Sequence, residues 1–482
     1  MPTATLVTFL IYLAALISLG ILFYRFSETL SDYILGGRKL RSGVAALSAG
    51  ASDMSGWLLL GLPGAVYAAG LNQIWIAVGL SAGALLNWHF VAARLRIYTE
   101  LAGNAITLPD FLEHRFEDRS HVLRVVSATV ILIFFVIYTA SGMVAGAKLF
   151  ESAFGWGYQT ALFSGTAVIV LYTFLGGFMA VSWTDFFQGI LMFLALVTAP
   201  ILLIFFHDNW DGITTTIAGI NPGFLDVTSG LTLIGLLSLL AWGLGYFGQP
   251  HILARFMAID SPKSVPRAMG IGMGWMVLSL TGAILVGFTG IAFFAADPLA
   301  DPEFVFLEIV QQLFSPWLAG ILLAAILSAI MSTVDSQLLV CSSAIAEDFY
   351  KNLLRPAASH TELVRVGRAS VVGVAVVALI MALNPESMVL ELVAYAWAGF
   401  GASFGSVILF SLFWRRMTRN GALAGVVAGA LTVLVWRNLQ GGIFDLYEIL
   451  PGFILSSLSI VLFSLYDRQP SESIRKLFER TQ

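Results

Sequence analysis

The sequence predicts an all-α protein that crosses a membrane many times, and three observations support this prediction. Only 11% of its 482 residues are charged, against about 25% in an average soluble domain. Hydrophobic residues make up 58% of the chain, and the mean hydropathy is +0.87. The apolar residues gather in thirteen runs of roughly 20 residues, the length that an α-helix needs to span a bilayer.

This composition excludes several classes of protein. A soluble fold of this length cannot bury so much apolar surface, so we exclude a soluble enzyme, a nucleic-acid-binding protein and a disordered protein. The single cysteine, Cys341, excludes an internal disulfide framework and a metal site built from cysteines. The main solvent of this chain is therefore the lipid bilayer.

The thirteen runs are the predicted membrane helices, of about 13 in total. They lie near 6–24, 43–70, 73–93, 125–149, 160–180, 184–206, 231–254, 270–295, 316–345, 367–384, 389–414, 421–440 and 447–466. The loops near 94–124 and 346–366 have room for short helices but not for a catalytic domain. The polar tail after Tyr466 favours a small amphipathic helix.

Basic residues in the loops predict the orientation. Of the 25 Lys and Arg, 23 follow runs 1, 3, 7, 9, 11 or 13 and therefore fall on one side, with Arg255 counted among them. Only Lys148 and Arg437 fall on the other side. The positive-inside rule makes the crowded side cytoplasmic, so the amino terminus is outside and the carboxyl terminus is inside. The first run has no basic residue before Arg25, which argues against a cleaved signal peptide.

Two of the helices are predicted to be broken at matching places. The second run contains the small, polar stretch Gly50–Gly56, and the seventh contains Trp242–Pro250 with three glycines and a proline. Runs 2–6 and 7–11 form two blocks of five. Because five is odd, the second block starts from the opposite face, which makes an inverted repeat. For either stretch alone, a glycine-rich packing seam is the alternative.

A helix that is broken within the membrane frees backbone groups that suit a cation or an anionic substrate group. Placing the side chain of Asp53 inside the membrane, at the first break, costs roughly 2.5–3.5 kcal/mol on insertion scales. This cost favours a position in a functional cavity. The alternative for Asp53 is a structural acid bonded to a neighbouring helix. In the ninth run, the stretch Ser328–Ser336 offers the adjacent hydroxyls of Ser332 and Thr333, which suit sodium as oxygen ligands. In isolation, such hydroxyls bond back to their own helix.

Further side chains favour a pocket and an ion path. Trp57, Tyr138, Trp242 and Tyr246 lie within the predicted spans, which favours a pocket for a small ligand with an apolar body over anchoring at the membrane surface. The stretch Gln249–His251 closes the second break.

Ser182 and Asp185 lie between the predicted fifth and sixth runs, near the cytoplasmic face. Both side chains can help a cation to leave the protein. A helix N-cap is the simpler role for Asp185, because aspartate favours that position.

Three motifs resemble the sodium:solute symporter family. They are Ala51–Trp57, Gly176–Asp185 and Trp242–His251, and Ser328–Ser336 matches the same family in its ninth span. The resemblance covers essentially the whole chain. Within the family, the stretch Gly245–His251 is most similar to the bacterial members that transport proline.

The resemblance implies a leucine-transporter-like core of five plus five helices in an inverted repeat, with one extra helix before it and two after it. The implied division places the first helix and a cytoplasmic loop in 1–42, the first repeat in 43–206, the second in 231–414, two additional helices in 415–466 and a cytoplasmic tail in 467–482.

The resemblance also implies the site residues. The sodium ligands are the carbonyls of Ala51, Met54 and Ala329 and the hydroxyls of Ser332 and Thr333. The residues implied for the substrate and its coupling to sodium are Asp53, Ser55, Gly56, Trp57, Tyr138, Trp242, Tyr246, Gln249 and Pro250. Arg38 is either part of an inner gate or a plain positive-inside charge.

The implied function is a symporter, not an enzyme, that imports L-proline with sodium across the cytoplasmic (inner) membrane by alternating access. A symporter for another small amino acid or carboxylate is the alternative. A channel needs no coupled broken helices, and a sensor needs a signalling domain, so both classes fit less well. The implied partners are L-proline, sodium (Na+) and the lipid bilayer, with no nucleic acid and no obligatory protein partner.

Overall fold

The computed structural model describes residues 3–24, 29–175, 177–206, 209–384 and 388–481. Within these ranges, nine helical stretches are long and apolar enough to cross a membrane, and ten are if the bent pair Leu233–Gly248 and Pro250–Ala258 counts as one span. Two shorter apolar helices, Thr3–Leu19 and Tyr158–Leu171, accompany them. The described chain is a bundle of helices whose outer surface suits lipid.

The helices of the first half include the first break. They are α1 Thr3–Tyr24, α2 Leu30–Leu35, α3 Ser42–Met54, α4 Gly61–Ala69, α5 Ile74–Leu86, α6 Ala93–Leu101, α7 Leu108–Phe116, α8 Val122–Phe154, α9 Tyr158–Leu175, α10 Phe178–Phe206 and α11 Trp210–Ile220. A π-helical segment, Asn87–Ala92, joins α5 to α6.

The helices of the second half include the second break. They are α12 Leu233–Leu240, α13 Pro250–Ala258, α14 Val265–Phe293, α15 Val305–Leu313, α16 Pro316–Ser343, α17 His360–Met381, α18 Val389–Phe400, α19 Ser406–Phe413, α20 Arg419–Trp436, α21 Ile449–Tyr466 and α22 Glu472–Glu479. The predicted tail helix is α22, which Ser471 caps and which buries Ile474 and Phe478.

Each of the thirteen predicted runs overlaps a helix, so the all-α, polytopic prediction is confirmed, while the count of thirteen spans stays a prediction. The boundary between the fifth and sixth runs is wrong. The pattern places it between 180 and 184, whereas α9 ends at Leu175 and α10 begins at Phe178. Apolar residues flank this turn on both sides, so hydrophobicity alone does not locate it, and its one sequence signal is the Gly-Gly pair at 176 and 177. Gly176 of the predicted motif and the loop residue Arg25 lie outside the described residues.

The segments that flank the two broken helices meet at the end of the molecule where most basic residues lie. The Leu40 N–H donates to the Ala258 carbonyl at 3.1 Å, and the Asp260 N–H donates to the Leu40 carbonyl at 2.9 Å. These bonds belong to an isolated parallel bridge. The Arg38 guanidinium donates to the Met257 carbonyl at 2.7 Å. Arg38 therefore fastens this closure and is more than a plain surface charge.

The opposite end of the molecule contains a buried ion pair. Lys148, one of the two basic residues predicted on that side, lies 2.7 Å from Asp301 and 2.6 Å from Glu303. The Glu303 carboxylate also accepts the backbone N–H groups of Val389 and Leu390 at the start of α18. These contacts explain how a lysine can lie in the apolar helix α8, since a buried charge needs a partner.

Candidate functional site

The first predicted break lies between α3 and α4. α3 ends at Met54, and Ser55 adopts φ +37° and ψ −170°, a left-handed conformation that residues with a Cβ rarely take. Strained backbone of this kind costs roughly 1–3 kcal/mol and is concentrated at functional sites. A single 3-10 turn, Gly56–Leu58, follows, and the Ser55 hydroxyl oxygen accepts the N–H of Trp57 at 3.2 Å. Ser55 therefore stabilises the break itself.

The broken segment is held against α8. The Tyr138 hydroxyl donates to the backbone carbonyl of Asp53 at 3.2 Å, which satisfies one of the carbonyls that the break frees. A Cβ on Gly56 would lie 2.9 Å from the Cβ of Ala145, so glycine is what allows the backbone to pass this close. α8 thus fixes the geometry of the first break.

The second predicted break interrupts the seventh run. A 3-10 helix, Ala241–Gly248, follows α12, and α13 begins at Pro250 after the extended residue Gln249. The two parts are bent by 45°. Pro250 has no N–H and cannot bond to the carbonyl of Tyr246, which favours an interruption here. Both broken helices that the sequence predicts are therefore present.

The two breaks touch each other through Asp53 and Tyr246. The Tyr246 hydroxyl donates a hydrogen bond to the Asp53 carboxylate. Both side chains are buried, at 3% and 4% exposure. Asp53 is thus bonded to a neighbouring helix, as one prediction has it, and that neighbour is the other broken helix. The structural and the functional interpretation of Asp53 therefore describe the same contact.

A set of oxygen atoms surrounds the Ala51 carbonyl. The Ser332 hydroxyl lies 2.8 Å from this carbonyl and the Thr333 hydroxyl lies 3.4 Å from it. The same hydroxyls lie 3.2 and 3.3 Å from the Ala329 carbonyl of their own helix, α16. Bonding back to the own helix therefore occurs, but it does not explain why both hydroxyls face another helix. Four neutral oxygens so close together fit a hard monovalent cation such as sodium.

Met54 is the fifth predicted ligand. It is the last residue of α3, one helical turn beyond Ala51, and its side chain is buried. The structure thus places the hydroxyls of two predicted sodium ligands against the carbonyls of two others, and Met54 lies at the break in the same helix as Ala51.

Aromatic rings of both breaks face each other. The centroids of Trp57 and Trp242 are 5.8 Å apart. Trp397 of α18 lies 5.1 Å from the Tyr246 ring, and its indole N–H donates to the Trp242 carbonyl at 2.7 Å. The ring of Tyr447 lies 5.4 Å from the ring of Trp242, centroid to centroid, at an interplanar angle of 31°. These rings form a cage, which we define as Trp57, Trp242, Tyr246, Trp397 and Tyr447.

The remaining predicted substrate residues lie next to this cage. Gln249 donates to the backbone carbonyl of Trp397 at 3.3 Å. Tyr138 lies 6.2 Å, centroid to centroid, from the ring of His251, which follows Pro250 directly. Sequence reasoning missed Trp397 and Tyr447. The one sequence signal for these two residues is a polar group on each ring, an indole N–H and a phenol O–H. Both lie within or beside late apolar runs, where a polar group needs a partner.

Ser182 and Asp185 are buried within α10, and the N-cap prediction for Asp185 is wrong. The helix begins at Phe178, so Asp185 lies two turns inside it. Its carboxylate accepts hydrogen bonds from Arg255 at 3.0 Å and from Ser48 of α3 at 2.7 Å. In the described part of the chain, the Ser182 hydroxyl and the Asp185 Oδ1 atom have no hydrogen-bond partner.

The counting of Arg255 as a loop charge is wrong as well. Arg255 is fully buried in α13, and its guanidinium also donates to the Ser336 hydroxyl at 2.6 Å. It thereby joins α13, the helix that follows the second break, to α10 and α16. Sequence patterns assign a charged residue near the end of an apolar run to a loop, because they do not reveal an acidic partner that is distant in the sequence.

The comparisons with known proteins agree with this geometry. The chain is 56% identical over 482 residues to the sodium/proline symporter of Escherichia coli K12, covering 99% of this chain and 96% of the relative. It is 52% identical to the high-affinity proline transporter of Bacillus subtilis 168, over 96% of this chain and 98% of the relative.

A solved structure of a Na+-coupled sialic acid symporter, in a substrate-bound outward-open state, has the same fold. It superposes with a TM-score of 0.82 at 18% identity, over 98% of this chain and 99% of that one. The predicted leucine-transporter-like fold class is thereby confirmed. A sequence model of the sodium:solute symporter family matches residues 33–429. The chain therefore belongs to the sodium:solute symporter family.

Proposed function

We propose that this protein imports L-proline together with sodium by alternating access. The observation that carries the proposal is the contact between the two breaks, in which Tyr246 bonds to Asp53 two residues from the Ala51 oxygen set. A ligand change at either break therefore acts directly on the other. The names of the close relatives, sodium/proline symporter and high-affinity proline transporter, support the choice of substrate.

Sodium binds to the carbonyls of Ala51, Met54 and Ala329 and the hydroxyls of Ser332 and Thr333. The short distances from the Ser332 and Thr333 hydroxyls to the carbonyls of Ala51 and Ala329 support this assignment, because the cation needs only to replace these bonds. Binding from outside orders the end of α3. Asp53 is in that segment and accepts a hydrogen bond from the Tyr246 hydroxyl. The same ordering therefore fixes the position of this hydroxyl.

L-proline binds beside the aromatic cage, where Trp57, Trp242 and Tyr246 face its ring, with Tyr138, Gln249 and Pro250 at the edges. The strained turn at Ser55 and Gly56 presents backbone amides to the carboxylate of proline, since helix N-termini favour anions. The pyrrolidine ring packs on the aromatic rings, which supply apolar area with little loss of conformational entropy.

Ser182 and Asp185 take part in the exit of sodium. Their support is position and polarity: both lie on α10, and Asp185 bonds to Ser48 on α3, the helix that carries Ala51. The free Asp185 Oδ1 atom offers an oxygen to a passing cation. Arg255, which pairs with Asp185, then holds the carboxylate in place without the ion.

The division into two five-helix repeats, with one helix before and two after, is part of the proposal. So are the location in the cytoplasmic membrane and the orientation with the amino terminus outside. The orientation is supported by the 22 basic residues that follow odd-numbered runs once the buried Arg255 is left out. It makes the closure at Leu40, Arg38 and Ala258 the cytoplasmic one.

The experiment is uptake of radiolabelled L-proline by proteoliposomes with an inward sodium gradient and a matched potassium control. Accumulation above equilibrium with sodium alone is the expected result. Competition by other amino acids and small carboxylates then ranks substrates. Sodium binding by the purified protein without any proline uptake would keep the ion site and refute proline as the substrate.

A further inference from the structure

A glycine-lined interface joins α5 to the second break. Residues 79, 83 and 87 are spaced by four and share one face of α5 and its continuation. Leu240 at the end of α12 and residues 243 and 246 of the following 3-10 stretch are spaced by three and lie in one row, because that stretch has three residues per turn. A Cβ on Gly79 would overlap the carbonyl of Leu240, and a Cβ on Gly83 would overlap that of Gly243. The two backbones are therefore in contact.

The third pair in this row is Asn87 and Tyr246. The Asn87 side-chain amide donates to the backbone carbonyl of Tyr246 at 2.8 Å, and Asn87 is fully buried. In a continuous α-helix, this carbonyl would accept the N–H of the residue four positions later. That residue is Pro250, which has no N–H. Asn87 thus supplies, from another helix, the hydrogen bond that the proline removes.

The same contact leads to Asp53. The Tyr246 hydroxyl donates to the Asp53 carboxylate, so the Tyr246 main chain is held by α5 while its side chain holds α3. Asn87, Tyr246 and Asp53 line one narrow cavity together with Gly50 and Met276. The π-helical turn that begins at Asn87 widens the helix at this point, and such turns are frequent at functional sites.

We infer that Asn87 is a positioning residue for coupled transport, which fixes the Tyr246 backbone and, through the Tyr246 hydroxyl, the carboxylate of Asp53. The inference rests on the proposed function, because it assigns the residue a role in joining the sodium site to the substrate site. Loss of the amide donor leaves the Tyr246 carbonyl buried without a partner, which shifts the 3-10 stretch. The binding of sodium and the binding of proline are then weakened together, although Asn87 belongs to neither broken helix.

Kinetics of the Asn87→Ala variant in proteoliposomes test this inference. We expect the KM for proline and the half-saturating sodium concentration to rise about tenfold each, with the maximal rate changed less than threefold. Asn87→Gln keeps the donor, and the neighbouring cavity has room for its extra methylene, so it restores both values to within about threefold of the wild type. If Asn87→Ala is not recovered as folded protein, Asn87→Asp replaces it, since it keeps the size and removes the donor.

The matched control is Ser81→Ala, which lies on the opposite face of α5 and leaves both values unchanged. A double variant tests the route: Asn87→Ala with Tyr246→Phe will be no worse than the more damaging single change, because both act on one contact. Multiplied effects, or a lower maximal rate with unchanged half-saturation values, would refute the inference.

Sodium binding by the purified protein separates this inference from the proposed function. Stabilisation against heat is measured while sodium chloride replaces potassium chloride at constant ionic strength. Asn87→Ala shifts the half-saturating sodium concentration about tenfold even if the wild type transports no proline. An unshifted sodium titration overturns the role of Asn87, whereas a shifted titration without proline uptake overturns only the proline assignment.

Discussion

Ser332, Thr333 and the carbonyls of Ala51 and Ala329 offer oxygens without formal charge. Affinity for a hard cation rises with the number of charged ligands, so under the proposed assignment a neutral set would bind sodium weakly enough to release it in each cycle. The carboxyl group closest to this set in sequence, that of Asp53, is already bonded to Tyr246. At the scale of single residues, the site is therefore suited to turnover rather than to tight storage.

The variant Ser332→Ala with Thr333→Ala tests this donor set. We expect the half-saturating sodium concentration to rise at least about tenfold, because two of the oxygens are lost, while the KM for proline at saturating sodium changes less. Initial uptake rates across a sodium series measure both. Thr129→Ala is the control, since its hydroxyl bonds only to its own helix on the exposed side of α8. Wild-type sodium activation in the double variant would refute the assignment.

The variant Asp53→Asn tests the contact between the breaks. Asparagine keeps the shape but gives Tyr246 an amide in place of the carboxyl group, which changes the hydrogen bond between the two breaks. We expect a strong shift in sodium dependence, of about tenfold or more, in the same uptake assay. Asp226→Asn, at an exposed loop position, is the control and leaves uptake unchanged. Equal sodium activation in Asp53→Asn and the wild type would show that the contact has no role in coupling.

Several site residues could be predicted because they interrupt a local pattern. Asp53, Ser332 and Thr333 are polar within apolar runs, and their chemistry can be inferred without a partner. Arg255 and Trp397 could not, because Asp185 and Trp242, their partners, lie 70 and 155 positions away. A sequence alone does not say which apolar helices become neighbours.

At the scale of elements, the 3-10 stretch is shaped by what surrounds it. Three residues per turn bring Gly245 directly against the indole ring of Trp397, where a Cβ would overlap the ring. The sequence predicts this break from its glycines and its proline. It does not predict the 3-10 geometry, which depends on packing against α5 and α18.

The variant Gly245→Ala tests this packing. We expect proline uptake to fall by at least about tenfold, because the added methyl group displaces Trp397 from Trp242 and Tyr246. Gly274→Ala is the control, since nothing lies within 4 Å of a Cβ at that position. Uptake and binding of labelled proline are both measured. Normal affinity in Gly245→Ala would show that the cage tolerates a displaced Trp397.

The short helix α7, outside the predicted spans, carries a group that titrates. The hydrogen bond that His114 makes with Asp110 raises the pKa of His114 to about 9. Because the folded pKa lies above the unfolded value, the stabilisation is complete below about pH 6.5 and is lost as the pH rises through about 9. His114 is nearly half exposed, so solvent screening keeps the effect small.

Thermal unfolding of the wild type and of His114→Gln between pH 6 and pH 10 measures this effect. The wild type is expected to be slightly more stable at the acidic end, and the difference is expected to vanish toward pH 10. A difference that stays constant across this range would show that His114 contributes through packing rather than through charge.

At the scale of the whole molecule, the energy for transport comes from the sodium gradient and the membrane potential. One charge that crosses 100 mV contributes about 2.3 kcal/mol, and a tenfold sodium gradient adds about 1.4 kcal/mol. With one sodium for each proline, these terms set an accumulation limit of several hundredfold.

Abolishing the membrane potential at a tenfold sodium gradient tests this stoichiometry. We expect the accumulation limit to drop to about tenfold, because only the chemical gradient remains. The limit is read from the steady-state ratio of labelled proline inside and outside the vesicles. A limit near one hundredfold without a potential would show that two sodium ions accompany each proline.

The fold class and the two broken helices could be predicted at this scale, because the lengths of the apolar runs and the residues that interrupt them are visible in the sequence. The turn between α9 and α10 and the closure between Leu40 and Ile259 could not. The first interrupts an apolar stretch only by a Gly-Gly pair, which the reading of apolar runs passes over, and the second depends on main-chain atoms that any sequence carries.

The closure at Leu40 also affects which substitutions this protein can tolerate during evolution. Its two hydrogen bonds use only backbone atoms, and the Asp260 side chain is exposed. A random library at position 260 will therefore accept nearly every amino acid and reject proline, which has no N–H to donate. The main-chain part of this closure is thus tolerant of mutation and can persist at positions where no particular side chain is under selection, whereas its third bond needs the guanidinium of Arg38.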